Sequence, residues 1–291
     1  MSTEDIQNQA RDQAMALHQQ GKLAEAETLY RQVLAAGPDY RAQYLLGVLL
    51  YQQQRGDEAM AAVEAALVLN PGAVESLMLR GVIRQAMGRA DDALADFTTV
   101  TTAAPGMVEA WYNQGVALAD LGRGEEAITA YDRALALKPA AAIWANRGAV
   151  LTDLKRYQEA LDSSDQALAL DVSFPAALFN RGTALLELQR YADSVAAFDQ
   201  LLTRAPDDHQ AWNNRGAALH GLKRFDPALE SYDRSLGLRP DYVPALKNRG
   251  MALAAAKRFD EAVASLDRAL ELSPQDADIR KLRDDTLKQR A

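Results

Sequence analysis

The amino-acid sequence predicts an all-α fold, an α-solenoid of eight helix–turn–helix repeats followed by a C-terminal capping helix. Glycines recur at intervals of 33 or 34 residues, at Gly47, Gly81, Gly115, Gly148, Gly182, Gly216 and Gly250. Prolines follow in step near the end of most repeats, and a small residue, usually alanine, lies twelve positions after each glycine. Self-similarity at this period indicates stacked supersecondary units, each of which buries its apolar face against its neighbours.

Each repeat contains two apolar stretches with helical spacing, separated by a short turn. In the fourth repeat Trp111, Gly115 and Leu118 recur at i, i+4 and i+7, which places them on one face of a helix. Because glycine has no side chain, we expect the second helix to approach the first closely there, with Tyr131 filling the gap between repeats. The proline that follows most of the second helices cannot continue the helix and sets the next turn.

The phase of the pattern gives the bounds of the repeats. The eight repeats occupy residues 1–276, at about 7–39, 40–73, 74–107, 108–140, 141–174, 175–208, 209–242 and 243–276. Residues 277–291 read as one capping helix, apolar at Ile279, Leu282 and Leu287 and charged on its other side, as the end of a solenoid requires. The first repeat departs from the pattern with Ala14 in the glycine position, and the fifth has Val172 where a proline is expected.

These residues resemble the tetratricopeptide repeat (TPR), a helix–turn–helix unit of about 34 residues. The resemblance covers about residues 7–276 and includes tryptophans four positions before a glycine, at Trp111, Trp144 and Trp212. It implies a right-handed superhelix whose first helices line a concave groove. It also implies a scaffold for protein–protein interaction.

Composition excludes several classes of function. The net charge is −8, so a nucleic-acid partner, which needs clustered Lys and Arg, is not expected. The chain has no cysteine, which excludes disulfides and thiolate metal sites. The longest nearly apolar run, residues 44–51, is too short to insert into a membrane, and residues 1–10 do not resemble a signal peptide. We therefore expect a soluble cytoplasmic protein.

The charge is unevenly distributed along the chain. Residues 1–140 contain 18 acidic and 11 basic residues, whereas residues 241–291 contain 9 acidic and 10 basic residues. An acidic half could favour basic partners, although a solvated helical surface is the favoured interpretation.

The sequence predicts that the protein is not an enzyme and binds no cofactor or metal. It lacks the phosphate-binding loop, the zinc-protease motif and the nucleophile elbow. Residues 122–127 match GxGxxA, but a dinucleotide site needs a strand before that motif, and here a helix precedes it. His18, His209 and His220 fall in different repeats without the spacing of metal ligands.

One polar pattern stands out from the scaffold. The asparagines two positions before a glycine are Asn113, Asn146, Asn180, Asn214 and Asn248. At about 100° per residue they lie about 200° from the glycine, so they point away from the packing face. The row resembles the asparagine ladder in the superhelical repeat domain of O-linked N-acetylglucosamine transferases, which implies that it holds the backbone of an extended polypeptide. The alternative is that asparagine is simply the consensus residue of the repeat.

Two further sets of residues are candidates for binding in the groove. The first helices of repeats two and three are apolar nearly all round, which predicts a partner-binding patch of Tyr44, Leu45, Val48, Tyr51, Met78 and Val82. Extra packing inside a tight superhelix is the alternative for this patch. Further groove positions are Tyr112, Val116, Phe179, Asn213 and Lys247.

Repeats five to eight share an Asn-Arg-Gly motif, with the arginine at Arg147, Arg181, Arg215 and Arg249. These arginines lie at the edge of the packing face, so we favour ion pairs with acids of the adjoining helix over binding of an acidic ligand. Because these repeats are nearer the family pattern, we predict that the second half of the chain is the more stable and rigid.

The leading hypothesis is a non-catalytic scaffold that binds an extended or short helical peptide segment of a protein partner in its concave groove. One alternative is the substrate-recruiting domain of a larger glycosyltransferase-like enzyme, which the asparagine ladder motivates. The other is a structural element that forms homo-oligomers through the apolar patch of repeats two and three.

Overall fold

A computed structural model of the protein describes residues 3–290, with side chains from Ile6 onward. The described residues contain seventeen α-helices and no strand, which confirms the predicted all-α class. Residues 1 and 2 of the predicted repeat array (1–276) lie outside the described residues, and so does residue 291 of the predicted cap (277–291).

The helices form eight successive pairs and one additional helix. The pairs are α1 (Thr3–Gln19) and α2 (Leu23–Ala36); α3 (Tyr40–Gln52) and α4 (Gly56–Leu69); α5 (Val74–Ala86) and α6 (Ala90–Ala103); α7 (Val108–Asp120) and α8 (Gly124–Leu137); α9 (Ala141–Asp153) and α10 (Tyr157–Leu170); α11 (Pro175–Glu187) and α12 (Tyr191–Leu202); α13 (His209–Gly221) and α14 (Phe225–Leu238); α15 (Val243–Ala255) and α16 (Phe259–Leu272). The last helix is α17 (Ala277–Arg290). No helix among the described residues is both long and apolar enough to cross a membrane.

The helices belong to two compact units, Met1–Lys138 with α1 to α8 and Pro139–Ala291 with α9 to α17. Within each unit, the two helices of a pair contact each other, and each second helix contacts the first helix of the next pair. Successive first helices also contact one another, as α3 does with α5 and α11 does with α13. Each unit is therefore an α-solenoid, in which the first helices lie side by side.

The recurring glycine allows the two helices of a pair to approach closely. A Cβ atom on Gly81 would lie 2.6 Å from Cε1 of Phe97, and one on Gly115 would lie 2.5 Å from Cε1 of Tyr131. Real Cβ atoms do not come so near to an aromatic ring, so only glycine fits at these contacts. The predicted role of the glycine positions is confirmed in these pairs.

Arginine side chains tie neighbouring pairs together in the second unit. The arginine Nε donates to an aspartate Oδ1 on the preceding second helix at 2.8 Å for Arg181–Asp165, 2.6 Å for Arg215–Asp199, 2.7 Å for Arg249–Asp233 and 2.7 Å for Arg283–Asp267. Arg215 also donates through a second nitrogen to Ser231 Oγ of its own pair, at 2.7 Å. For Arg181, Arg215 and Arg249 these are the ion pairs that the Asn-Arg-Gly motif predicts, and Arg283 of α17 adds one outside that motif.

Helix α17 covers the end of the second unit. Its Ile279 is fully buried and packs with Leu246, Leu266 and Ala269, while most of its charged residues remain exposed. This distribution matches that of a solvating cap, because the last pair would otherwise expose the face that binds its neighbour.

Candidate functional site

The five predicted ladder asparagines occupy equivalent places on five first helices. Asn113 lies on α7 in the first compact unit, and the other four lie on α9, α11, α13 and α15 in the second. All five side chains are half-buried. The side chains therefore lie at the sides of their helices, between adjacent first helices. They are less exposed than side chains that point straight away from the packing face.

Two ladder amides of the second unit bond to the preceding first helix. Asn180 Nδ2 donates to the backbone oxygen of Ala145 at 2.8 Å, and Asn248 Nδ2 donates to Asn213 Oδ1 at 3.0 Å. Both acceptors lie three positions before their own repeat's glycine. Among the described residues, no donor reaches the Oδ1 atom of Asn180 or Asn248, so each of these amides keeps an acceptor that is not used by the scaffold.

Asn213 departs from its predicted place on the groove surface. It is only 4 % exposed, and its Nδ2 donates to Asn214 Oδ1 at 3.0 Å while its Oδ1 accepts from Asn248. The sequence of one helix does not show this burial, because it depends on the neighbouring first helix, whose Asn248 bonds to this position. Asn213 therefore bonds to two ladder residues and is more buried than the prediction expects.

A depression of about 260 Å³ lies beside the ladder in the second unit. Its lining residues are Pro175, Ala176, Phe179, Asn180, Leu201, Ala205, Asp208 and Gln210. It brings together two predicted residues, Phe179 and Asn180, and the Phe179 ring packs edge-on against Phe198 with centroids 5.9 Å apart. Asp208 at its rim caps α13 by accepting from the backbone N–H groups of Gln210 and Ala211.

The remaining predicted groove residues are half-buried. Tyr112 and Val116 lie on α7, where the Tyr112 ring contacts Tyr131 with centroids 6.2 Å apart. Lys247 lies on α15, next to the ladder residue Asn248. None of these three residues lines the depression at Phe179.

The predicted apolar patch is also half-buried throughout. Leu45, Tyr51 and Met78 pack against the core of the first unit, and Val82 packs with Met78 on the cluster around Phe97. Part of each side chain therefore packs within the solenoid, as the alternative of extra packing predicts. The other part remains exposed to solvent.

Two patch residues, Tyr44 and Leu45, line a depression of about 320 Å³ that we call the α3–α5 pocket. Its other lining residues are Tyr40, Arg41, Glu75 and Ser76. Sequence reasoning missed these four because it considered positions close to the glycine, whereas they lie in the first turns of α3 and α5. The signal that would find them is the contact between successive first helices.

The α3–α5 pocket has a polar rim. Burial raises the pKa of Tyr44, and the nearby carboxylate of Glu75 raises it further. Arg41 Nε lies 3.2 Å from the Tyr40 hydroxyl, and this hydrogen bond raises the pKa of the guanidinium. The rim thus presents one charge of each sign above an apolar wall.

The three histidines have different local surroundings. His18 Nε2 lies 2.8 Å from Gln52 Oε1, His209 packs edge-on against Tyr242, and burial lowers the pKa of His220. In the part of the chain that the structure describes, no three His, Asp or Glu side chains are grouped as metal ligands.

Helix pairs repeated at this period, with first helices side by side, define a helical-repeat protein. The tetratricopeptide repeat family model matches residues 11–74, 78–142, 125–177 and 179–243, and a second tetratricopeptide repeat model matches residues 215–284. The chain belongs to the tetratricopeptide repeat family, and this scaffold fold supports a role in protein–protein interaction. No curated protein matches the chain.

Solved structures show the same fold. A chain of the Cut9–Hcn1 hetero-tetramer of APC/C has a TM-score of 0.69 at 18% identity, over 91% of this chain and 52% of that one. A TPR protein of Parabacteroides merdae has a TM-score of 0.65 at 17% identity, over 85% and 98%. YrrB, described as a TPR protein with an unusual peptide-binding site, has a TM-score of 0.55 at 20% identity, over 64% and 96%.

Proposed function

We propose that the protein is a non-catalytic scaffold that binds an extended or short helical segment of a protein partner along the surface formed by its first helices. The observation that carries the proposal is the hydrogen bonding of the ladder asparagines in the second unit. Asn180 and Asn248 each direct Nδ2 to the preceding first helix and leave Oδ1 without a donor among the described residues.

An extended polypeptide offers the complementary groups. Its backbone N–H groups need acceptors when they leave water, and an unpaired buried N–H costs about 1–3 kcal/mol. Because each amide is held by its own hydrogen bond to the scaffold, its oxygen is fixed before the partner arrives, which reduces the entropy lost on binding. The depression at Phe179 lies beside this row and can take an apolar side chain of the same segment.

The fold is compatible with such a role, since YrrB, which shares it at 20% identity, is described as having a peptide-binding site. That likeness supports the scaffold and not a particular ligand.

Affinity capture from the native cell extract, read by mass spectrometry, tests the proposal. The variant changes Asn113, Asn146, Asn180 and Asn248 to alanine, and circular dichroism confirms that it stays helical. We expect partners that bind the wild type to be lost from the variant, because the backbone acceptors are gone.

A matched variant controls for the number of changes. It changes four exposed polar residues of second helices, Thr99, Thr129, Gln166 and Gln200, to alanine. We expect it to capture the same partners as the wild type. Equal capture by the ladder variant and the wild type would show that the asparagines are consensus residues of the repeat with no part in binding.

A further inference from the structure

The α3–α5 pocket has the features of a site for a single side chain of a partner. It lies between the first turns of two successive first helices and has a volume of about 320 Å³, at the lower end of the range for ligand pockets of roughly 300–1,000 Å³. Tyr44 and Leu45 give it an apolar wall, and both are only half-buried.

A buried hydroxyl forms part of the wall of the α3–α5 pocket. Ser76 is 1 % exposed, and its Oγ has no hydrogen-bond partner among the described residues. Buried polar atoms in folded proteins are nearly always paired, so the Ser76 hydroxyl in the pocket wall is available to a polar group that enters the pocket. Such a group, entering beside the apolar anchor, would pair with that hydroxyl.

The charges at the rim of the α3–α5 pocket determine which residue of a partner can lie next to an apolar side chain in the pocket. Glu75 is exposed at the rim and makes no ion pair with any described residue. Arg41, on the other side, is held by the Tyr40 hydroxyl and by the Tyr40 ring, whose centroid lies 5.8 Å from the guanidinium carbon. The rim therefore keeps one exposed charge of each sign, and Glu75 is the group with which a Lys or Arg of a partner can pair.

The net charge of the whole first unit has the same sign as Glu75. Residues 1–138 contain 18 acidic and 11 basic residues, whereas residues 139–291 contain 22 and 21. A basic segment would be attracted to the first unit and oriented before it docks.

We propose that the α3–α5 pocket anchors one bulky apolar side chain of a basic peptide segment, whose adjacent Lys or Arg pairs with Glu75. This inference rests on the proposed function, since it names the chemistry of the partner on the first-helix surface of the first unit. It assigns Tyr44 and Leu45 to the apolar contact and Glu75 to the choice of a basic sequence.

A random dodecapeptide library displayed on phage, selected on the full chain, tests the proposal. We expect enriched peptides to share a bulky apolar residue next to Lys or Arg. Synthetic peptides of this kind should bind Glu75→Gln two- to fivefold more weakly than the wild type, the range for an exposed ion pair, and the difference should shrink as salt rises. They should bind Tyr44→Ala about tenfold more weakly, because an apolar anchor dominates the affinity of such a contact.

Two controls separate the pocket from general charge and from misfolding. Glu64→Gln removes the same charge from α4, a second helix of the same unit, and should bind as the wild type does. Replacing the basic residue of the peptide by alanine should cost the same factor as Glu75→Gln, and the two changes together should cost no more than one alone. Glu75 is exposed, so its variant remains informative if Tyr44→Ala fails to fold.

Different failures have different meanings. Peptides that are enriched but bind both pocket variants as they bind the wild type would overturn the pocket and leave the proposed scaffold intact. A change of molecular mass in light scattering with Tyr44→Glu would assign the pocket to a second copy of the chain, which also overturns the proposal. Selection of no peptide by the full chain would overturn the proposed function together with the pocket.

Discussion

At the scale of single residues, one position of the second helices holds a tyrosine or a phenylalanine in five of the eight pairs, at Tyr30, Phe97, Tyr131, Phe198 and Tyr232. Tyr30, Phe97, Phe198 and Tyr232 are fully buried, and Phe97, Phe198 and Tyr232 lie against the glycine of their own pair. The hydroxyls of Tyr30 and Tyr232 are buried and have no partner among the described residues. The hydroxyl therefore adds an unpaired polar atom to a site where the ring does the packing.

Tyr232→Phe should stabilise the protein. An unsatisfied buried hydroxyl costs about 1–3 kcal/mol, so we expect the free energy of unfolding in urea to rise by about 1 kcal/mol. The reciprocal variant Phe198→Tyr adds a hydroxyl at the equivalent position and should lower it. A loss of stability in Tyr232→Phe would show that the hydroxyl is paired in solution.

Tyr30 should make the protein sensitive to alkali. Burial raises its pKa to about 12 from an ordinary value of 10.0. The folded state therefore keeps the proton at pH values where the unfolded state loses it. The contribution of Tyr30 to the free energy of unfolding is complete below pH 10 and is lost as pH rises towards 12. Urea midpoints at pH 9 and pH 11 should fall less in Tyr30→Phe than in the wild type. An equal fall in both would contradict the assignment.

At the scale of helix pairs, the glycine contact should be sensitive to a single methyl group. Gly115→Ala places Cβ 2.5 Å from the Tyr131 ring, so we expect it to lower the free energy of unfolding by about 1–3 kcal/mol. The matched control is Gly148→Ala, whose Cβ meets no atom nearer than 3.3 Å. Alanine favours a helix by about 1 kcal/mol over glycine, so the control should lose little or gain. Equal losses in urea denaturation would show that the ring contact is not the cause.

Pair α5–α6 contains a buried charge cluster. Asp96, whose side chain is 4% exposed, accepts from Arg80 at 2.7 Å and from Arg84 at 2.7 Å. Asp96→Asn leaves two arginines without their partner, so we expect it to cost about 3 kcal/mol in urea denaturation. Asp92→Asn breaks the exposed pair with Arg89 and should change stability little. A small effect of Asp96→Asn would show that water screens this cluster.

At the scale of the whole molecule, the two compact units should each fold alone. Helix pairs contact only their neighbours, so fragments 1–138 and 139–291 keep their internal contacts. We expect both fragments to be helical by circular dichroism, and 139–291 to have the higher urea midpoint because its repeats are nearer the family pattern. An unfolded 139–291 fragment would contradict this.

The repeat period was sufficient to predict the helices and their pairing, because the glycine and its aromatic partner are sixteen residues apart in one pair and form a local contact. It was not sufficient to predict contacts between first helices, such as Asn248 with Asn213, which join positions 35 residues apart.

The turns between the two helices of a pair differ in sequence although they share one backbone conformation. Gly88 and Gly122 have positive φ, but Lys155, Gln189, Lys223 and Lys257 take the same left-handed conformation without a glycine to signal it.

The central claim is that polypeptide binds on the first helices. Site-specific photo-crosslinking tests it most directly, with p-benzoylphenylalanine in place of Met251 on α15 or Leu238 on the second helix α14, which are 37% and 45% exposed. After illumination in native cell extract, the account predicts covalent adducts from the Met251 position and none from the Leu238 position. Adducts from the Leu238 position alone would contradict it.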